Sequence, residues 1–232
     1  MKFLLLLACL CLAASAQAQP PAFMEIVQAD HDIPLNTNPD APFWRQARPI
    51  FLESDPNGKP LPEYRTEIRS RWTNGSIYFL FVCPYRQLYL KPQPDAVRET
   101  YQLWNWNVAE AFIGTDFEDI QRYKEFEVSP QNEWVDLDID LHQPHHEVGW
   151  KWNSGFQHET RIDATKHIWY VAMRIPFSAL SARPALAGTK FRGNFYRTEG
   201  PPERAAEIMW QPVLGKTFHA PERFGLLQLI AK

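Results

Sequence analysis

Cysteine is scarce in this chain. There are 3 in 232 residues, and Cys9 and Cys11 lie in an apolar amino-terminal run, which leaves Cys83 to the folded part. A lone cysteine excludes an internal disulfide framework. It ends a strongly apolar run, so burial is expected rather than reactivity. Neither sign of charge dominates: 24 basic side chains stand against 27 acidic ones, a net charge of -3. That balance excludes a polybasic binder of nucleic acid or of an anionic membrane. No apolar run past the amino terminus approaches the ~18 residues of a membrane-spanning helix. Glycine (10) and methionine (4) are few as well.

Aromatic residues and proline are plentiful: 9 Trp, 15 Phe, 8 Tyr and 20 Pro. Combined with short apolar runs, they indicate strands and turns rather than a helix bundle. A hydrophobic content of 45% is enough for a globular core and excludes a disordered chain.

Met1-Lys2, an apolar run from Phe3 to Ala14 and the small-x-small site Ala16-Gln17-Ala18 form a secretory signal peptide cut after Ala18. A lipoprotein signal at Leu6-Leu7-Ala8-Cys9 is the alternative, but it leaves too little apolar core before the cysteine. The expected organisation is a signal peptide over residues 1–18 and one domain over residues 19–232. The product is exported, periplasmic or extracellular, and monomeric.

The apolar period is close to two. Thr66 to Trp72 alternates, Asn74-Gly75 follows, and Ile77 to Val82 is apolar. An Asn-Gly pair between two such runs predicts a hairpin whose turn uses positive φ. Val135, Leu137, Ile139 and Leu141 alternate with Asp136, Asp138 and Asp140, which predicts an apolar face and a solvated acidic face. Trp169 to Ile175 repeats the pattern and Pro176 ends it; Phe191 to Arg197 and Phe224 to Ile230 read as further strands. One helical turn is predicted at Phe177 to Leu180. The fold class is all-β: an antiparallel two-sheet β-sandwich, jelly-roll or DOMON-like, with few short helical turns.

Chemistry is thinly signposted. Neither a Gly-x-Ser-x-Gly elbow nor a His-Glu-x-x-His zinc motif is present. Alternate residues of the Asp136, Asp138, Asp140 row are spaced ~6.6 Å apart, which suits a carboxylate pair or a hard cation, but also plain solvation. His142, His145, His146 and Glu147 suit zinc or copper by type, yet Pro144 marks an exposed loop without supporting hydrogen bonds. Neither group is assigned catalysis or a metal; a structural cation stays open and unassigned.

The tryptophans give a better lead. Trp104 and Trp106, and Trp150 and Trp152, sit two apart among Asn, Gln and Lys, so an extended chain places each pair on one face. Trp72, Trp134, Trp169 and Trp210 read as core. An indole in a polar segment wastes apolar area unless a ligand covers it. The apolar face of a sugar ring is such a cover, at roughly 1–2 kcal/mol per aromatic face. Hydroxyls on its rim then require hydrogen-bond partners at about 1 kcal/mol each.

Taken in order, several segments resemble the carbohydrate-binding module family nine-like domains, part of a broader sandwich group with the DOMON domains. Asn36-Thr37-Asn38-Pro39-Asp40-Ala41-Pro42-Phe43-Trp44 is similar to the family's opening segment, which ends in Trp. Arg71 to Tyr78 is similar to its hairpin, and Val108-Ala109-Glu110-Ala111-Phe112-Ile113 to its Val-Glu-Ile-Phe strand. Tyr123 to Val128, Trp169 to Phe177, and Phe191 to Arg197 resemble its later strands, and Phe218 to Gly225 its terminal His-x-Pro-x-x-Phe-Gly. The likeness spans roughly residues 25 to 230.

The resemblance implies a non-catalytic domain that clamps a sugar between two rings. Trp104 matches one ring, and Phe218 stands where the family has a second Trp. Glu110 and Asn194 match its polar contacts. The family's basic contact falls near Glu127, an acid, and Arg197 is our own candidate to replace it. The expected ligand is an oligo- or polysaccharide in glycan capture or polysaccharide catabolism. Three alternatives remain: a haem-binding sandwich using Met24, Met209, His158 or His219, a protein-interaction domain that has lost the sugar site, and a glycoside hydrolase or its accessory.

Overall fold

Period-two alternation becomes strand in nearly every segment that carries it. The computed structural model describes residues 22–181 and 184–232; the expected signal peptide, residues 1–18, lies outside the described residues. The strands are β1 (Phe23–Gln28), β2 (Ile50–Leu52), β3 (Thr66–Trp72), β4 (Ser76–Pro84), β5 (Ala109–Gly114), β6 (Arg122–Val128), β7 (Trp134–Asp140), β8 (Gln157–Asp163), β9 (Ile168–Pro176), β10 (Lys190–Glu199), β11 (Ala206–Met209) and β12 (Gly225–Ile230). Helix among the described residues is confined to short segments of three to six residues, among them α1 (Pro42–Arg45) and α2 (Phe177–Leu180), the latter where Pro176 ends β9. No helix among the described residues is long and apolar enough to cross a membrane.

Hydrogen bonding joins the strands in one 12-stranded sheet along the path β7-β6-β5-β10-β12-β1-β3-β4-β9-β8, with β11 on β10 and β2 on β3. The path folds over on itself. Phe79 and Phe81 of β4 meet Phe195 of β10 at ring distances of 5.1 and 6.0 Å, although β12, β1 and β3 lie between them along the path. The principal core fills this fold, with Trp72, Phe126 and Trp169 fully or nearly buried. Cys83 is buried there too, and burial pushes its thiol up to about 11, too high for ready reaction.

Two expectations need correction. The sheet is mixed, not wholly antiparallel: β1 pairs in parallel with both β12 and β3. Neither neighbour is joined to β1 by a hairpin, so no short turn imposes opposite direction. The Asn74-Gly75 hairpin is present, but neither residue takes a positive φ. Instead the Thr73 hydroxyl accepts from the backbone N–H of Gly75 (3.3 Å) and of Ser76 (3.2 Å), closing the turn with a side chain. That hydroxyl also donates to Asp32, which takes the Tyr78 hydroxyl at 3.1 Å and pairs with Arg174.

Side chains close the seam between the end strands β7 and β8. His158 lies 4.6 Å from the Trp134 ring and shares a hydrogen bond with Asn132 at 3.0 Å. Burial pushes its pKa from 6.5 down to about 4. The folded ring therefore stays neutral where the unfolded one takes a proton. Its stability contribution is intact above pH 6.5 and is lost as pH falls toward 4. His158→Phe should flatten that acid limb by about 2 kcal/mol, read as urea midpoints at pH 7 and pH 4.5. An equal slope in both proteins rules the seam out as its cause.

Candidate functional site

The half-path β7-β6-β5-β10-β11 has covered side chains on both faces. Alternation sends Ala109, Ala111, Phe126 and Phe195 into the principal core. It sends Phe112, Tyr123, Val135, Leu137, Ile139 and Tyr196 to the other face, where they form a second buried cluster. Three loop segments cover that face, and they carry Leu103-Trp104, Trp150 and Phe218 against it. The acidic face expected of β7 is solvated at Asp138 and partly at Asp140, but not at Asp136. Asp138 and Asp140 pair with Lys124 and Arg122. Asp136 is 1% exposed and accepts from the Ser154 backbone and hydroxyl. Burial and this neighbouring carboxylate push Glu99 up to about 8.

A pocket of 480 Å³ opens between the loops and the strand face. Its walls include Tyr101, Trp104, His146, Glu147, Phe218 and His219; its floor is Glu110, Phe112, Glu125 and Glu127, with Glu207 at the side. Strand register explains the floor. Glu110 of β5 lies opposite Glu127 of β6, and Phe112 opposite Glu125, so all four point the same way. Donor oxygens of Glu110, Glu125 and Glu127 lie within 4.8 Å of one another. All three are buried. Neither oxygen of Glu127, nor Oε2 of Glu125, has a hydrogen-bond donor from elsewhere in the protein.

Burial raises the pKa of all three carboxyls, and mutual repulsion adds to it at Glu110 and Glu127. Burial first, then Glu125 and Glu207, raises Glu110 well above the usual range. Burial raises Glu127 likewise, with Glu110 and Glu125 adding to it. Glu125 is pushed up to about 7 by burial, with the neighbouring Glu127 acting in the other direction.

Of the residues expected to touch a ligand, Trp104, Phe218 and Glu110 line this one pocket. Trp104 is half-buried with Tyr101 edge-on at 5.5 Å. Phe218 stacks on Tyr196 at 4.6 Å and 14°. Asn194 is close by but behind the wall. It is fully buried, donates to the Tyr196 hydroxyl and to Gln211 O at 2.9 Å each, and accepts from the Gln211 N–H at 3.0 Å. The Tyr196 hydroxyl in turn donates to Phe218 O at 2.9 Å. Asn194 thus anchors the segment that carries the ring.

Arg197 is not brought to the pocket. It shares a strand face with Phe195, is fully buried, and donates to Pro84 O at 2.6 Å on the core side. The expected Trp pairs also separate, because both segments turn as 3-10 helix instead of extending. Trp106 stacks on Tyr89 at 4.6 Å, while Trp150 meets Tyr101 at 5.1 Å. Trp152 lies against Lys124 and Phe126. Trp134 is only half-buried, unlike the other three assigned to the core.

The histidine loop is more ordered than its sequence suggests. Its 3-10 segment His146–Lys151 packs on β7, and His146 meets His219 ring to ring at 4.2 Å. Burial pushes His219 down to about 4. Its Nδ1 lies 2.5 Å from the Tyr123 hydroxyl. The Met and His residues considered for haem are dispersed: Met24 lies in the principal core, Met209 in the second cluster, and His158 at the β7–β8 seam.

Sequence reasoning missed Glu125, Glu207, Phe112 and His219 as parts of the site. A signal for Glu125 was present. Glu125 and Glu127 alternate with Phe126 and Val128, so two acids share the face opposite an apolar one.

No family profile matches the chain. A curated "Extracellular protein" of Arthroderma benhamiae is 26% identical over 159 residues, covering 64% of this chain and 68% of its own. Among solved structures, a family nine carbohydrate-binding module of Caldicellulosiruptor kristjanssonii in complex with cellotriose superposes with a TM-score of 0.63 at 15% identity, over 91% of this chain and 95% of its own. A Bacteroides uniformis protein provisionally described as carbohydrate-binding gives 0.69 at 16% identity, over 90% and 99%. At such identities the likeness concerns architecture: this chain has the fold of a family nine carbohydrate-binding module.

Proposed function

We propose that this chain is an exported, non-catalytic carbohydrate-binding protein. It holds one unit of an oligo- or polysaccharide between Trp104 and Phe218, with Glu110 beneath to take hydroxyl protons. Supporting this reading is one observation: two rings far apart in sequence line a single pocket floored by carboxyl groups. The fold is one whose solved examples include modules in complex with cellotriose and with glucose. We read the folded-over path as the two layers of a DOMON-like sandwich, and the chain as a monomer serving glycan capture or polysaccharide catabolism.

The test is a calorimetric screen of neutral oligosaccharides, repeated with Trp104→Ala. A binding saccharide should lose roughly 10-fold or more in affinity in the variant, the equivalent of 1–2 kcal/mol for one aromatic face. Undiminished binding in Trp104→Ala removes the clamp. A complete failure to bind any saccharide favours a protein-interaction domain on the same scaffold.

A further inference from the structure

The pocket floor contains more acid than hydroxyl recognition calls for. Every charged carboxyl-type side chain on its lining is a glutamate: Glu110, Glu125, Glu127, Glu147 and Glu207. Neither Lys nor Arg lines it. The two basic residues nearest in strand order are committed elsewhere, Lys124 to Asp138 on the opposite face of β6 and Arg197 to Pro84 O. Compensation of the floor charge must therefore come from solvent, as protons or as a bound cation.

We propose that Glu110, Glu125 and Glu127 form a site for a hard divalent cation of the calcium type, at the base of the pocket. Three observations carry it. Two oxygens on opposite sides of an ion, each ~2.4 Å from it, stand ~4.8 Å apart, and the three donor atoms lie within 4.8 Å of one another. Glu127 is fully buried, lines the pocket, and has neither oxygen partnered by a donor in the protein. A carboxylate in that position is expensive unless something neutralises it. The donors are oxygens alone, which suits calcium over the nitrogen- and sulfur-seeking zinc or copper. Of the two histidines on the lining, His219 has its Nδ1 engaged by Tyr123.

Three glutamates supply three to six of the six to eight oxygens that calcium takes. The remaining positions face the pocket, where water or ligand hydroxyls complete the shell. That last point alone rests on the saccharide reading; the ion site does not require it. The site differs from both acidic groupings that the sequence suggested, since neither the Asp136, Asp138, Asp140 row nor the His142 to Glu147 segment brings three ligands together among the described residues.

Calorimetric titration of the chelator-stripped mature chain with calcium chloride, at constant ionic strength, provides the test. One saturable site is expected, with a melting midpoint raised by roughly 5 °C at 100 times Kd. Glu127→Gln should fold and lose at least tenfold in calcium affinity. Glu118→Gln, exposed and away from the pocket, should change it less than threefold. Absence of a saturable site in the parent protein overturns the proposal, as does undiminished affinity in Glu127→Gln. Ethylammonium binding where calcium does not bind overturns it in favour of an ammonium pocket. The oligosaccharide screen is then run with and without chelator. Saccharide binding in a protein that takes no ion defeats this inference and leaves the proposed function standing. An ion without any saccharide does the reverse.

Discussion

Gly149→Ala is expected to lower the melting midpoint by roughly 5–10 °C and to weaken ligand binding in the same protein. Gly149 lies directly over the backbone of β7. A methyl group there would stand 2.2 Å from Asp138 O and 2.8 Å from its carbonyl carbon. Both are backbone atoms in a paired strand and have no rotamer by which to yield. The 3-10 segment must rise instead, by about 1 Å, at a cost of about 2–3 kcal/mol typical of overpacking. That segment carries His146 and Glu147 into the pocket wall. It also carries Trp150, which supports Tyr101, which in turn meets Trp104 edge-on. Stability and affinity should therefore fall together. A variant that melts like the parent places this contact outside the packed structure, and one that melts early yet binds normally separates the segment from the site.

Arg197→Met is expected to act in the opposite direction, raising stability by about 1–3 kcal/mol while leaving saccharide affinity unchanged. The guanidinium is fully buried, and Nη1 alone has a good acceptor, Pro84 O at 2.6 Å. Nε and Nη2 have no hydrogen-bond partner. No carboxylate lies within ion-pair distance of it among the described residues, and the Cys83 thiol beside it is a weak acceptor. Methionine fills comparable length with apolar atoms, removing the charge at the cost of Pro84 O losing a donor. Denaturant midpoints and the oligosaccharide titration read the two halves separately. A loss of more than about 1 kcal/mol would show that the guanidinium is neutralised by something it touches in solution. A loss of affinity at unchanged stability would return Arg197 to the ligand.

That Arg197 faces away from the pocket has a reason legible in the sequence. Asn194 and Arg197 are three apart in one strand, so period-two alternation forbids both from facing one ligand. The odd spacing already required one of them to turn away. The β7 row illustrates a different limit. Val135, Leu137 and Ile139 do share an apolar face, as their alternation shows. Alternation cannot say that this face lies under the loops that wall the pocket while Asp136 is buried on the other, because which loops return over a strand is not written in its own residues. Asn74-Gly75 marks its hairpin correctly, but through the wrong turn chemistry. Thr73, one residue earlier, makes the hydrogen bonds that positive φ would otherwise replace.

Strand content, the short turn at Phe177 and the aromatic excess are written in local order, since each depends on residues within a few positions of one another. The pocket is not local. Trp104, Glu127 and Phe218 meet only because β5, β6 and β10 align in a particular register and the loops return over the same face. Register depends on which distant strands pair, so three glutamates that look like ordinary strand polarity along the chain become one buried acidic floor in space.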